Sequence, residues 1–323
     1  MARRVTAVVL NWNGWRDTIK CVESLRHLDV SPNVLVVDNG STDESVNQIR
    51  AAAPWVRLVL LATNRGFGGG MNAGIASALC DDQDLDFIWL LNNDTLVERH
   101  SLGRMIALAE SDPKIGIVSN RLVDTDDSGR VQALGGGGLN RWLGTTSTYI
   151  TPQDRACDHL IGASLLVKPS LLRNIGGFDE RYFFFLEDTE FSMRARRSGW
   201  RLAVAKDATV FHTRGASIDR GSRVRSLRSD LSAARSSGIF VSGLDLPWRL
   251  TAVPLRIAGM LLNRLARAQV DRLLPVTQAY LDGLRIGRRP PVIPRFALDE
   301  EQSTIQAIGT ETADSASARS CAG

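Results

Sequence analysis

The 323-residue chain carries only four cysteines, Cys21, Cys80, Cys157 and Cys321, and no C-x-x-C pair among them. They have no metal-like spacing with the four histidines, so neither a zinc site nor a disulfide framework is expected. Free thiols in a reducing cytoplasm fit this usage. No window approaches the about 18 uninterrupted apolar residues of a bilayer-spanning helix. The apolar run Val5 to Leu10 is too short for a signal-peptide core. No Rossmann G-x-G-x-x-G follows that run, where Asn11-Trp12-Asn13-Gly14 stands instead, which disfavours a dehydrogenase. A sugar-phosphate nucleotidylyltransferase would need a basic glycine-rich loop at the same place. Internal repeats are absent.

What is present has the makings of a large α/β domain with an appendage. The apolar fraction is 44% and the charged fraction 23%, ordinary for a globular chain. Charge, however, is unevenly spread. Lysine and arginine against aspartate and glutamate give 20 − 6 = +14 over residues 192–295, against +4 for the whole chain. That asymmetry predicts an anionic partner for the C-terminal part. Nucleic acid is not expected, because no binding motif or stacking-aromatic pattern accompanies the arginines.

The first 120 residues alternate in a βα rhythm. Val5–Leu10, Val34–Val37, Val56–Leu61, Phe87–Leu91 and Ile115–Val118 are apolar runs of strand length. Between them, Trp15–Leu28, Asp43–Ala53, Gly69–Leu79 and Glu98–Glu110 read as helices. Runs without polar alternation imply strands covered on both faces, hence a doubly wound, mostly parallel sheet. Ser41-Thr42-Asp43-Glu44 has the pattern of a capping box for the second helix. Glycines 135–138 and the Ser/Thr cluster 145–148 suggest a loop or hairpin. Leu160–Val167 reads as a strand and Glu187–Arg197 as a helix.

Each of the first four strands ends in amides or carboxylates: Asn11 and Asn13, Asp38 and Asn39, Asn64 and Arg65, then Asn92-Asn93-Asp94. Ligands of such sheets bind beyond the carboxyl ends of the strands, and the joint pattern favours a nucleotide site. Further on, Gly176-Gly177-Phe178-Asp179-Glu180 and Glu187-Asp188-Thr189-Glu190 surround the aromatic cluster Tyr182 to Phe185. Apolar residues would draw these acids inward, where a carboxyl can be tuned for proton transfer.

Taken together, these segments resemble the inverting glycosyltransferases of family 2, with the GT-A fold, and their rhamnosyltransferase-like members. The resemblance covers about residues 5–215. It implies that Asn11, Asn13, Asp38, Asn39, Asn64, Arg65, Asn72 and Asn93 contact a nucleoside-diphosphate sugar. Asp38 would accept from the pyrimidine N3–H. Asn92-Asn93-Asp94 occupies the place of the D-x-D motif, with its first acid replaced by Asn92. Asp94, with His212 from the last strand, would hold Mg²⁺ or Mn²⁺. Gly162, Ala163, Asp179 and Glu180 would line the acceptor cleft. Asp188 is the implied general base, its pKa raised beside Phe184, Phe185 and Phe191, with Glu187 beside it. Arg194 and Arg197 could fix a diphosphate, and Trp12, Trp15 and Trp142 could stack on sugar. No Q-x-x-R-W follows the Glu-Asp segment, so addition of a single sugar is expected rather than processive synthesis. A catalytically silent sugar-nucleotide-binding protein is the alternative that Asn92 suggests.

The domains expected are a catalytic one over 1–215, divided at 120 into nucleotide and acceptor halves, a basic helical extension over 216–296, and a disordered tail over 297–323. Pro254 to Ala268 reads as an amphipathic helix, with Leu255, Ala258, Leu261, Leu262 and Leu265 on one face and Arg256, Asn263, Arg264 and Arg267 opposite. Such a helix suits an anionic membrane surface or ordinary packing on the catalytic domain. A lipid-linked or glycan acceptor and a place on the inner face of the cell membrane, on the cytoplasmic side, follow as expectations.

Overall fold

Uninterrupted apolar runs become strands covered on both faces. A computed structural model of the protein describes residues 3–126, 128–152, 156–213 and 226–296. In chain order the first half gives β1 (Val5–Asn11), α1 (Trp15–Leu25), β2 (Asn33–Asp38), α2 (Ser45–Ala52), β3 (Arg57–Leu60) and α3 (Gly66–Asp81). Then come β4 (Phe87–Asn92), β5 (Thr95–Val97), α4 (Ser101–Glu110) and β6 (Ile115–Asp124). The second half adds β7 (Val131–Leu134), β8 (Gly136–Asn140), β9 (Thr145–Thr148), β10 (His159–Leu160) and β11 (Ser164–Val167). It closes with α5 (Pro169–Ile175), α6 (Glu187–Arg197) and β12 (Arg201–His212).

The main sheet has the order β3-β2-β1-β4-β11-β6-β12-β5, with β7 on β6. Strands β1 to β4, β6 and β12 share one direction, and β5, β7 and β11 oppose it. The sheet is thus mostly parallel, as its apolar runs imply. Separate apolar clusters lie on its two faces, one around Val36, Trp89 and Leu102, the other around Val37, Leu90 and Phe178.

Three local expectations are corrected. Helix α2 begins at Ser45 after Glu44, and Ser41 does not cap it. Instead the Ser41 hydroxyl accepts from the Asn13 amide at 2.9 Å and from Asn11 Nδ2 at 3.2 Å, so tertiary partners outcompete the local cap. Helix α3 starts three residues before the expected Gly69 and takes in the glycine run. A Cβ at Gly70 would run into Leu10 and one at Gly74 into Val8 and Val37, so these glycines set how closely α3 lies on the sheet. The single strand expected at Leu160–Val167 is two. β10 joins the small sheet β10-β8-β9, while β11 enters the main one. Residues 161–163 form the crossing between them.

The basic extension is helical: α7 (Leu227–Ser242), α8 (Trp248–Ala266) and α9 (Leu273–Gly287). Helix α8 starts six residues before Pro254 and runs through it. Helices α7 and α9 meet at glycine, since a Cβ on Gly238 would strike the Tyr280 carbonyl. Their shared cluster includes Tyr182, with Leu186 and Met193 packed on it, so the extension shares a core with the acceptor half. Asp230 is buried between Arg264 at 2.7 Å and Arg272 at 2.6 Å. Beyond α9 the chain returns, Glu180 donating to Val292 O at 2.8 Å and Gly177 to Pro294 O at 3.1 Å. The tail expected over 297–323 lies outside the described residues.

Candidate active site

Parallel strands deliver their carboxyl ends to one edge, and the register sets Asn11 beside Asp38 and Leu10 beside Asn92. Strand order turns at β1, which lies between β2 and β4. There the polar strand ends knit together. Asn11 Nδ2 donates to Asp38 Oδ1 at 2.7 Å, and Asn11 Oδ1 accepts from the Thr18 hydroxyl at 2.7 Å. The second Asp38 oxygen accepts the Ser41 amide at 2.9 Å. An ionised carboxylate offers about four lone-pair sites, so Asp38 keeps accepting capacity for a base. Asn13, at φ +50°, accepts the Thr42 amide at 2.8 Å. Asn93 Nδ2 donates to Thr18 Oγ1 at 2.9 Å, which joins the ends of β1 and β4 through one hydroxyl.

Two acceptors face each other at the end of β4. Gln132 Nε2 donates both to Asp124 Oδ1 and to the His212 carbonyl. Its Oε1 is therefore the atom 3.0 Å from His212 Nδ1, and Nδ1 must carry the hydrogen. In the neutral ring that leaves the lone pair on Nε2, which sits 3.3 Å from Asp94 Oδ1 and 3.4 Å from Asn92 Nδ2. Asp94 Oδ1 is buried and receives no hydrogen bond. A neutral imidazole nitrogen aimed at an orphaned carboxylate oxygen is an arrangement a cation completes. Among the described residues no group of three or more His, Cys, Asp or Glu is placed so that it could hold a metal ion. Two protein ligands suffice for a cation that takes its remaining oxygens from phosphate and water.

The Glu-Asp segment lies at the start of α6. Phe185 and Leu186 enter it at φ +75° and +67°, left-handed backbone that bulky side chains adopt only when held there. Asp188 is half-buried, and its Oδ2 accepts the Gly162 amide at 2.9 Å. Oδ1 accepts the Thr189 amide at 2.6 Å. The next residue of the crossing, Ala163, gives its carbonyl to the Asn92 amide at 3.0 Å. Asp188, Gly162, Ala163 and Asn92 therefore form one hydrogen-bonded line from the acceptor half to the end of β4. Glu187 is buried, and its Oε2 has no partner. Burial, and then the neighbouring Asp188 carboxylate, push its pKa up to about 8. The desolvated acid that the aromatic cluster suggested is thus Glu187.

Other expected ligands have protein partners. Asp179 is fully buried, ion-paired with Arg181 at 2.6 Å, and also accepts the Val292 amide at 3.2 Å. It braces the return of the chain and does not line an acceptor cleft. Asn72 is buried as well, accepting from the Phe178 amide at 2.8 Å and donating to the Phe178 carbonyl at 2.9 Å, bonds that dock α3. Asn39 donates to the Gly66 carbonyl and accepts the Arg65 amide, both at 2.9 Å, while Asn64 accepts the Gly66 amide at 2.8 Å. These two shape the loop before α3. Arg65 and Glu180 remain part-exposed and pair with each other at 2.9 Å. Arg194 is held by Glu190 and by the carbonyls of Ile175 and Gly177. Trp142 packs edge-on against Trp248, centroids 4.4 Å apart, at the helical extension.

Sequence reasoning missed Thr18, Ser41 and Gln132. Thr18 and Gln132 stand in no motif. Ser41 carried a signal, but a misleading one.

The sequence profile of glycosyl transferase family 2 matches residues 6–166. An N-acetylglucosaminyl-diphospho-decaprenol L-rhamnosyltransferase of Mycobacterium tuberculosis is 30% identical over 210 residues, covering 58% of this chain and 68% of that protein. A low-salt glycan biosynthesis hexosyltransferase of Haloferax volcanii is 22% identical over 262 residues, 78% of this chain and 82% of the relative. Among solved structures, a mannosyltransferase of Pyrobaculum calidifontis in complex with GDP-Man and Mn²⁺ superposes with TM-score 0.53 at 18% identity, over 88% of this chain and 76% of that one. S. aureus TarS 1–349 in complex with UDP-GlcNAc gives TM-score 0.54 at 16% identity, over 88% and 81%. At such identities these structures speak for the fold alone.

Proposed function

Because this chain belongs to glycosyl transferase family 2 and is a glycosyltransferase of GT-A architecture, we propose that it inverts configuration while moving one rhamnose-like sugar from a nucleoside diphosphate to a lipid-linked acceptor. The reading of sugar and acceptor rests on the name of the mycobacterial relative. Work on a lipid-linked acceptor in polysaccharide assembly would place the protein at the inner face of the membrane.

The observation that carries the mechanism is the hydrogen-bonded line from Asp188 through Gly162 and Ala163 to Asn92. It fixes a carboxylate on the acceptor side relative to the nucleotide rim. In this mechanism Asp188 takes the proton of an acceptor hydroxyl as that oxygen bonds to the anomeric carbon. The bond from that carbon to the diphosphate oxygen breaks on the opposite face, and the electron pair leaves with the nucleoside diphosphate. One displacement inverts the centre, and Asp188 then releases its proton to water. Glu187, protonated at neutral pH by its burial, keeps a second negative charge away from the base. Asn11, Asn13, Asp38 and Asn93 shape the nucleotide rim. Asp94 and His212 would hold Mg²⁺ or Mn²⁺, which when bound neutralises charge on the diphosphate.

Asp188→Asn tests the assignment. Donor affinity, read by calorimetry with several nucleotide sugars, should stay within a few-fold of wild type. Transfer to acceptor should fall roughly 10²–10⁴-fold, the scale of a lost general base. Near-full turnover by Asp188→Asn would move the base elsewhere, and a protein that binds no nucleotide sugar would end the reading altogether.

A further inference from the structure

The apolar side of α8 faces outward. Leu250 is 68% exposed, Leu255 48%, Leu262 65% and Leu265 52%, and Ala258 lies on the same stripe, also exposed. Two of the three arginines expected to form a solvated opposite face turn toward the protein instead, and only Arg267 stays exposed. Arg264 is buried against Asp230 at 2.7 Å, and Arg256 donates to Ser237 Oγ at 3.1 Å. The helix docks on α7 and α9 through Ala252, Val253, Ile257 and Met260 as well as through Arg264, and leaves this second apolar face of leucines without cover. Leu246 before α8 and Val270 and Leu274 after it are also exposed, at 58%, 64% and 78%, and exposed Trp142 packs on Trp248 of the first turn.

We propose that this leucine face of α8 is a docking surface for an anionic lipid bilayer, into whose headgroup–acyl boundary it inserts in plane. Two observations select lipid over other occupants. No acid occurs between Asp245 and Asp271, while Arg249, Arg256, Arg264 and Arg267 do, and Arg249 and Arg267 are exposed at the two ends of α8. Over residues 226–296 arginines exceed acids by 11 − 4 = 7. A second copy set two-fold against this face would bring like charges together around the apolar contact, whereas anionic headgroups meet both the charge and the leucines. No described helix is long and apolar enough to cross a membrane, so α8 lies on the bilayer rather than through it. Tryptophans at the end of the stripe suit the interface, where an aromatic body and a polar N–H are both accommodated.

The test uses full-length protein and vesicles of phosphatidylcholine with or without phosphatidylglycerol, free of donor and acceptor, so that its outcome is independent of the transfer chemistry. Wild-type protein should sediment with the anionic vesicles, less so as salt rises, and poorly with phosphatidylcholine alone. Leu255→Gln with Leu262→Gln should weaken partition at least about tenfold while leaving Tm unchanged, because these side chains already face solvent. Arg249→Gln with Arg267→Gln should weaken binding to anionic vesicles and flatten its salt dependence. Unchanged partition of the leucine variant would overturn the proposal. So would a full-length protein that ignores vesicles, whether as a dimer that the leucine substitutions dissociate or as a monomer whose stripe is covered by its own acidic residues 297–323.

Discussion

Glu187 and Asp188 are adjacent in sequence yet stand in different media. Asp188 touches the Gly162 and Thr189 amides at the edge of the cleft, whereas Glu187 is buried with one oxygen unpartnered. This difference makes stability depend on pH. Burial and the Asp188 charge raise the folded-state pKa of Glu187 from 4.5 to about 8, so between these values the folded protein holds a proton that the unfolded chain has released. Stability from this group is therefore full below about pH 4.5 and is lost as pH rises toward 8. Glu187→Gln should flatten that decline, read as urea midpoints at several pH values between 5 and 8. A wild-type and a variant profile of equal slope would show that Glu187 is ionised in the folded state. Asp94→Ala makes a second prediction. Its backbone carbonyl still accepts the Thr213 amide, at 2.9 Å, so the fold should persist. Donor affinity measured with and without Mn²⁺ should differ for the wild type and coincide for the variant.

Elements meet here through motifs that sequence comparison would assign to substrate. The G-G-F-D-E segment is gripped from two sides, by Asn72 of α3 and by the chain returning after α9. Asp179 is the centre of that grip, and Arg181 reaches from it to the carbonyls of Gly287 and Arg289. Arg181→Ala would leave the Asp179 carboxylate buried and uncompensated, at a cost of about 3–5 kcal/mol. Thermal unfolding should show a lower Tm by at least about 5 °C, with any surviving folded protein retaining nucleotide affinity. A change in donor affinity at unchanged Tm would instead make Asp179 a ligand. Gly66 is a further joint. At φ +74°, with the Phe183 carbonyl where a Cβ would stand, it lets the Phe67 amide donate to Phe183 at 2.9 Å.

At the scale of the whole molecule the basic extension is part of the catalytic body. It shares the cluster around Tyr182 and Phe240, and Phe296 packs on the sheet's second apolar layer. A chain ended at Gly238 should therefore fail to fold or lose several degrees of Tm. It would not be a free catalytic domain, as a boundary at 215 suggests. Ending it at residue 286 should selectively speed amide exchange at Gly177 and Glu180, whose amides donate to Pro294 and Val292. Protection unchanged by either cut would show that the return of the chain is dispensable.

The rhythm of apolar runs determined the sheet, and the polar residues that end each run determined which edge bears the site. Both follow from local periodicity, because a strand buried on two faces needs an uninterrupted run and the rim alone is wet. The Glu187–Arg197 helix was legible for the same reason. Only tertiary structure decided which acid is buried, because Glu187 and Asp188 carry the same signal in sequence and differ by the direction α6 presents them. It decided that Ser41 serves Asn11 and Asn13 rather than a helix, because a long-range partner was within reach. Gln132 could orient His212, 80 residues away, only after β7 had been laid on β6. The amphipathic pattern of α8 was plain in the sequence, but a pattern does not say which face meets the protein. The Asp230 carboxylate drew Arg264 inward, since a buried charge must be paired, beside Ala252, Ile257 and Met260 in the shared cluster, and the leucines were left outside.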